Sequence, residues 1–329
     1  MTSQQPVDIH GKPYNRSLLV GVLLIGTFCT ILNQTLLTTA LPTLMKEFDI
    51  SASSVQWLTT GFLLVNGIMI PISAWLINKF SSKKLYITAM STFLIGTIIC
   101  FVAQDFGMLL TGRLVQAAGV GVSMPLLQTI MLSIFPPEKR GAAMGTTGIV
   151  IGLAPALGPT LSGWIIDSYT WRDLFGMVIP IVVLVLILAS FLMKNVIQLS
   201  NPSIDVLSVI LSTLGFGSLL YGFSSVGDKG WGSPQVYGFL IVGAIVLCLF
   251  TYRQLHLEQP FLELRVFKSK VFTVAAILSG VTNMAMIGAE MVLPLYIQNI
   301  RGESAFHSGL MLLPGALVMG LMMPVTGRI

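Results

Sequence analysis

Long apolar runs alternate with short polar breaks along almost the whole chain. The runs are too long and too uniformly apolar for barrel strands, which alternate and cross lipid in about 10 residues. A bilayer-crossing helix needs about 20 mostly apolar residues. Ten stretches fit, at 17–41, 55–77, 85–103, 106–135, 141–166, 174–193, 204–226, 236–252, 271–297 and 307–326. The pattern predicts an all-α polytopic membrane protein. The first run is too long for a cleavable signal peptide, and further runs rather than a polar mature chain follow it.

The connectors are short. Those at 80–84 and 136–140 are the tightest, and both are polar or basic. The longest, RQLHLEQPFLELRVFKSK at 253–270, fits either a short helix on the membrane surface or a solvated linker. No low-complexity segment or soluble domain interrupts the pattern.

Composition excludes whole classes of function. Of 329 residues 54% are hydrophobic and 9% charged, with a mean hydropathy of +0.86. A soluble domain is roughly a quarter charged, so a soluble enzyme of this length could not cover its surface. Cys29, Cys100 and Cys248 lie in apolar runs and are odd in number, which argues against a disulfide framework and offers no metal spacing. The histidines, His10, His256 and His307, all fall near loops. No nucleophile–base set or metal set for a membrane enzyme emerges, and no filter loop or ring of charge for a channel.

The net charge of +5 is explained by topology. With a cytoplasmic N-terminus, alternating spans put Lys12, Arg16, Lys79, Lys83, Lys84, Lys139, Arg140, Lys194, Arg253, Arg265, Lys268, Lys270 and Arg328 inside. Only Lys46, Arg172, Lys229 and Arg301 fall outside. The positive-inside rule favours this orientation, and no nucleic-acid partner is needed to account for the charge.

Two charges fall deep in spans, Arg113 and Glu290. Each costs roughly 2.5–3.5 kcal/mol at the bilayer centre on insertion scales. Either one serves as a structural ion pair or snorkelling side chain, or as a proton or substrate site. Low dielectric disfavours a charged carboxylate, which makes Glu290 a candidate proton carrier. Asn33, Gln34 and Thr35 cluster in the first span, while Asn66, Gln116, Gln128 and Asn283 are isolated. Such groups bridge helices or line a cavity. The fifth span carries Gly145, Gly148, Gly152, Gly158 and Ser162, with Pro155 and Pro159 four apart on one face. Such a helix is built for close packing and bending.

These residues carry a resemblance. LTGRLVQAAGVGVSMP at 110–125 resembles motif B of the major facilitator superfamily, R-x-x-Q-G-x-G-A, with Arg113, Gln116, Gly119 and Gly121 in its places. GLAPALGPTLSGWI at 152–165 resembles the fifth-span antiporter motif C, placing Gly152, Pro155, Gly158, Pro159 and Gly163. SAWLINKFSSKKL at 73–85 occupies the place of motif A, with Asn78, Lys79, Lys83 and Lys84. LNQTLLTTALP at 32–42, WLTTGFLLVNGIMIPISAWL at 57–76 and WRDLF at 171–175 are similar to the fourteen-span drug:proton antiporters, of EmrB/QacA or lincomycin-resistance type.

The chain departs from that pattern in places. Asn78 stands where motif A has an acid, Ala74 and Ser81 where it has glycines, and Asn33 where the first span usually has Asp. The first departure weakens the expected cytoplasmic lock. The last, Asn33 in place of an Asp, moves the expected proton coupling to Arg113 and Glu290.

The resemblance implies a cytoplasmic tail at 1–16, a six-helix bundle at 17–193, two inserted helices and a linker at 194–270, and the first two helices of a second bundle at 271–329. About four spans of the family's fourteen are then expected to be missing, which reads as C-terminal truncation. It further implies proton-driven export of amphiphilic drugs by alternating access in the cytoplasmic membrane. The proton gradient would serve as energy source, with no cofactor or metal. Asn33, Gln34, Gln116, Asn283 and Glu290 would face the substrate cavity. A periplasmic adaptor is implied as partner in a double-membrane bacterium. A nutrient or metabolite transporter on the same fold is the competing expectation. The 17 methionines fit either an adaptable pocket or lipid-facing filler.

Overall fold

A computed structural model describes residues 6–9, 11–200, 205–258, 260 and 262–326. His10, residue 204 at the start of the seventh expected span, and Arg328 lie outside them. Among the described residues the chain is helical, apart from one isolated bridge between Val7 and Pro13. The helices are α1 (Arg16–Leu36), α2 (Leu41–Phe48), α3 (Ala52–Lys79), α4 (Ser82–Phe101), α5 (Phe106–Ile134), α6 (Pro137–Ser168), α7 (Asp173–Gly176), α8 (Val178–Leu192), α9 (Val206–Lys229), α10 (Pro234–His256), α11 (Lys270–Leu295) and α12 (Ala305–Thr326). Among the described residues nine helices are long and apolar enough to cross a membrane, and Ala305–Met319 is a shorter apolar helix.

The first expected span divides. α1 stops at Leu36 and a turn leads into α2. Pro42 starts α2 and lacks the N–H that a continuous helix would need. The threonines before it bond to the backbone instead of extending the helix: Thr35 Oγ1 reaches Leu32 O at 3.0 Å, and Thr38 Oγ1 reaches Thr35 O at 2.8 Å. Asp49 closes α2 in a left-handed conformation, φ 50°.

α1, α3, α4, α5, α6 and α8 form one bundle, with α4 and α3 both packed on α5, and α1 on α6 and α8. The core includes Leu19, Leu23, Phe62, Phe93, Leu126 and Val182, each fully buried. α9 and α10 pair with each other, and α9 leans on α3. α12 lies along α6. α11 touches α12 and α2 only lightly and presents Val271, Ile277, Leu278, Val281 and Met284 outward. The long connector holds a 3-10 turn at Leu264–Lys268.

Basic connectors meet at one end of the helices: Ile9 N donates to Asn195 O at 3.0 Å, Ser200 N to Asn78 O at 3.1 Å, and Arg16 lies over the Phe135 ring. The opposite end is closed by polar ties. Arg172 donates to Ala103 O at 3.2 and 2.9 Å and lies 3.7 Å from Glu47. Phe48 stacks edge-on against Trp171 and Phe106 beside them.

Candidate functional site

Arg113 is the largest fully buried side chain among the described residues. α5 carries it inward one turn before Gln116, so the two share a helix face. Its Nη1 donates to Asn33 Oδ1 and to Gln116 Oε1, both at 2.8 Å. Its Nε points at Leu58 O at 3.5 Å. The guanidinium lies 4.4 Å from the centroid of Phe62. Gln116 Nε2 passes the chain on to Thr97 Oγ1 at 2.8 Å, and Thr97 donates to Phe93 O at 2.8 Å. One cation thus joins α1, α3, α4 and α5. No carboxylate pairs with it among the described residues.

The glycines of α5 make that convergence possible. A Cβ on Gly119 would sit 2.4 Å from Ala89 O, and one on Gly121 would sit 2.5 Å from Met69 Cβ. α4 and α3 therefore approach the α5 backbone directly.

α6 carries the second set of residues. A Cβ on Gly158 would sit 2.1 Å from Thr35 Oγ1, so α1 packs there. A Cβ on Gly163 would meet Ala305 O at 2.3 Å, and one on Gly309 would meet Pro159 O at 2.3 Å. The latter two positions interlock α6 with α12 at the end opposite the lysines. Ser162 donates to Leu36 O. Phe306 N donates to Asp167 Oδ2 at 3.1 Å, and Gln298 Nε2 to Thr39 O at 3.2 Å. Gly152 is buried on the same helix.

Beyond that seam toward the lysine-rich end, α6, α11 and α12 line a half-open cavity of about 260 Å³. Its wall includes Pro155 and Pro159 of α6, Met286 and Leu293 of α11, and Met311 and Met319 of α12. Glu290 enters it half-buried. Among the described residues no donor or cation meets that carboxyl. The cavity is therefore apolar, walled by flexible thioethers, with one titratable group.

The other residues singled out in the sequence are spread. Gln34 is half-buried on α1. Asn283 is exposed and donates to Ser279 O of its own helix at 2.9 Å. Asn78 donates to Ala74 O at 2.9 Å and accepts from Ser200 N at 3.1 Å. Lys79 lies 5.5 Å from the Trp75 ring, and Lys83 Nζ donates to Ser190 O. Lys84 is exposed at the N-terminus of α4.

One pair escaped the sequence reading. Arg253 grips Asp205 through two hydrogen bonds of 3.1 and 2.9 Å across 48 residues of chain. Ser208 donates to the same carboxylate, Gln254 donates to Ser208, and Leu262 N donates to Gln254 Oε1 at 2.9 Å. Partial burial pushes the Asp205 carboxyl up, but the hydrogen bonds from Arg253 and Ser208 outweigh it and hold the group below its ordinary value. Both residues stand at helix ends, where charges look like ordinary topology signals.

Comparison with known proteins identifies the family. The sequence profile described as Major Facilitator Superfamily matches residues 23–329. The chain is 57% identical to the uncharacterized MFS-type transporter YcnB of Bacillus subtilis, over 98% of this chain and 68% of that protein. It is 45% identical to the lincomycin resistance protein LmrB of Bacillus subtilis, over 95% of this chain and 65% of that protein. It is 30% identical to the multidrug export protein EmrB of Escherichia coli K12, over 96% of this chain and 63% of that protein. The chain thus spans about two thirds of the length of these relatives. A solved POT family transporter in complex with a thioalcohol-conjugated peptide superposes with a TM-score of 0.69 at 15% identity, covering 97% of this chain and 71% of that one. At that identity the likeness concerns the fold alone. A profile match over residues 23–329 and relatives that align with nearly all of this chain place it in the Major Facilitator Superfamily, as a multi-pass membrane transporter.

Proposed function

We propose that the protein exports amphiphilic small molecules in exchange for protons, by alternating access. The observation that carries this reading is the cavity between α6, α11 and α12, with Glu290 as its one titratable side chain and the proline face of α6 as its wall. The close α6–α12 seam beyond it supports reading that end as the closed gate. Relatives named for lincomycin resistance and multidrug export support the substrate class.

In this reading the lysine-rich end faces the cytoplasm and the chain resides in the cytoplasmic membrane. Glu290 takes a proton when the opposite end is open and releases it on the cytoplasmic side. Arg113 holds the amino-terminal bundle's polar centre in register with that exchange, through Asn33 and Gln116. The proton gradient is the sole energy source, and no cofactor takes part. In a double-membrane bacterium a periplasmic adaptor would continue the path.

The test uses inverted vesicles carrying the protein and a fluorescent amphiphilic dye. Dye should accumulate only when the vesicle interior is acid, and collapse of the gradient should release it. Dye movement that ignores the gradient contradicts the antiport, and movement driven in the opposite sense makes the protein an importer.

A further inference from the structure

α3 and α4 are joined by a two-residue connector, yet they scarcely touch along their length while both pack on α5. The space between them is a groove of about 440 Å³. Met69 and Leu76 of α3 form one wall, Leu85 and Ala89 of α4 the other, and Gly119 and Val122 of α5 the floor. Ile70 and Ile95 are exposed on the flanking helices, so the groove opens on the apolar outer face of the bundle.

One end of the groove is charged. Lys84 lines it, and among the described residues no carboxylate or carbonyl holds its ammonium. Its neighbours are engaged: Lys79 lies over Trp75, and Lys83 donates to Ser190 O. Ser81, the N-cap of α4, makes no side-chain cap bond, but Lys83 N donates to Asn195 Oδ1 at 3.3 Å, so the charge left at that end of the groove is the Lys84 ammonium.

We propose that this groove binds one anionic phospholipid, with an acyl chain between α3 and α4 and the phosphate at Lys84. Dimensions select that occupant. From Lys84 to Thr92 the α4 wall runs about 12 Å at 1.5 Å per residue, against roughly 15 Å for half of a 30 Å hydrocarbon core. The groove thus matches one leaflet, starting at the level of the lysine. Over that length its volume leaves a channel narrower than the 10–12 Å diameter of a helix with side chains. A second copy of the chain does not fit it, and a hydrocarbon chain does. A lysine at the surface of an anionic leaflet is a recognised source of lipid preference.

The test is native mass spectrometry of the purified 329-residue protein in detergent, titrated with phosphatidylglycerol or with phosphatidylcholine of the same acyl chains. One phosphatidylglycerol should be retained roughly fivefold more tightly than phosphatidylcholine, the scale of one lysine at an anionic lipid surface. Lys84→Gln should remove that preference and leave phosphatidylcholine retention unchanged. Thr88→Phe, which fills the groove from α4, should displace both lipids. Ala118→Leu, entering from α5, should do the same and guards against a misfolded first variant. Equal retention of the two headgroups, or a preference that survives Lys84→Gln, overturns the assignment to an anionic lipid. Lipid retained by both filled variants, or a protein dimer in place of a lipid adduct, overturns the groove as the site.

Discussion

Arg113 Nη1 meets Asn33 Oδ1 at 2.8 Å, so the deepest cation of the amino-terminal bundle is held by an amide and not by a carboxylate. With Gln116 and the Leu58 carbonyl the contacts are all neutral, and the Phe62 ring face supplies the rest. Among the described residues no counter-ion offsets that charge.

Arg113→Lys should therefore fail. An ammonium is a point donor and cannot span Asn33, Gln116 and Leu58 O in the fixed fork of a guanidinium. Each buried acceptor left unpaired costs about 1–3 kcal/mol. The expected result is a lowered Tm together with loss of gradient-driven transport. Wild-type transport by Arg113→Lys would remove Arg113 from the account.

Asn33→Asp gives the complementary experiment. It places a carboxylate within hydrogen-bond reach of the guanidinium without changing the side chain's shape. The protein should insert and fold as before, because the new charge is paired. The pH dependence of transport should shift, since a titratable acid now lies at the centre of the bundle, where Arg113 has only neutral partners. An unaltered pH profile would separate the Arg113 network from proton coupling.

The α6–α12 seam is tested at Gly309. A Cβ there would lie 2.3 Å from Pro159 O, 2.5 Å from Pro159 C and 2.6 Å from Thr160 Cα. These are backbone atoms and cannot move aside as a side chain would. Gly309→Val should cost roughly 1–3 kcal/mol of packing. The observable is cysteine labelling at the end opposite the lysines: positions shielded in the wild type become reactive in the variant. Unchanged shielding would mean that the gate is held elsewhere.

The Asp205–Arg253 clamp fixes the loop leading to α11 through Gln254 and Leu262. Asp205 has its folded value depressed. Its contribution is thus fully present above the ordinary carboxyl value of about 3.9 and is lost as pH falls through the lower folded value. The hydrogen-exchange protection factor around Leu262, taken against the intrinsic rate at each pH, should be constant from neutral pH down to the mildly acid range. Asp205→Asn should lower that protection across the same range. Protection lost in the wild type on going from pH 7 to pH 5 would contradict the assignment.

Much of the helical layout was legible because lipid demands long apolar helices and leaves little else to choose. The break between α1 and α2 was less so. The run at 17–41 is long and mostly apolar, and its polar cluster of Asn33, Gln34 and Thr35 reads as a cavity or helix-bridging set rather than as a break, so only the threonines ahead of Pro42 mark the turn. Around Arg113, motif spacing on one helix pointed to Gln116, since residues three apart share a face. The cavity at Glu290 depends on how α11 is rotated against α6 and α12, which no local pattern records. The same rotation puts Asn283 on the exposed side of α11. Asp205 and Arg253 went unnoticed because each looks like a topology charge until the α9–α10 hairpin brings them together.

The central claim is that Glu290 exchanges the proton that drives transport. The direct measurement is substrate flux into inverted vesicles under an imposed pH gradient, with wild type and Glu290→Gln compared at equal membrane content. Glutamine keeps the size and polarity of the side chain and cannot titrate. The account predicts that the variant still binds dye and equilibrates it across the membrane, with no accumulation against the dye gradient. Gradient-driven accumulation by Glu290→Gln at the wild-type rate would contradict it.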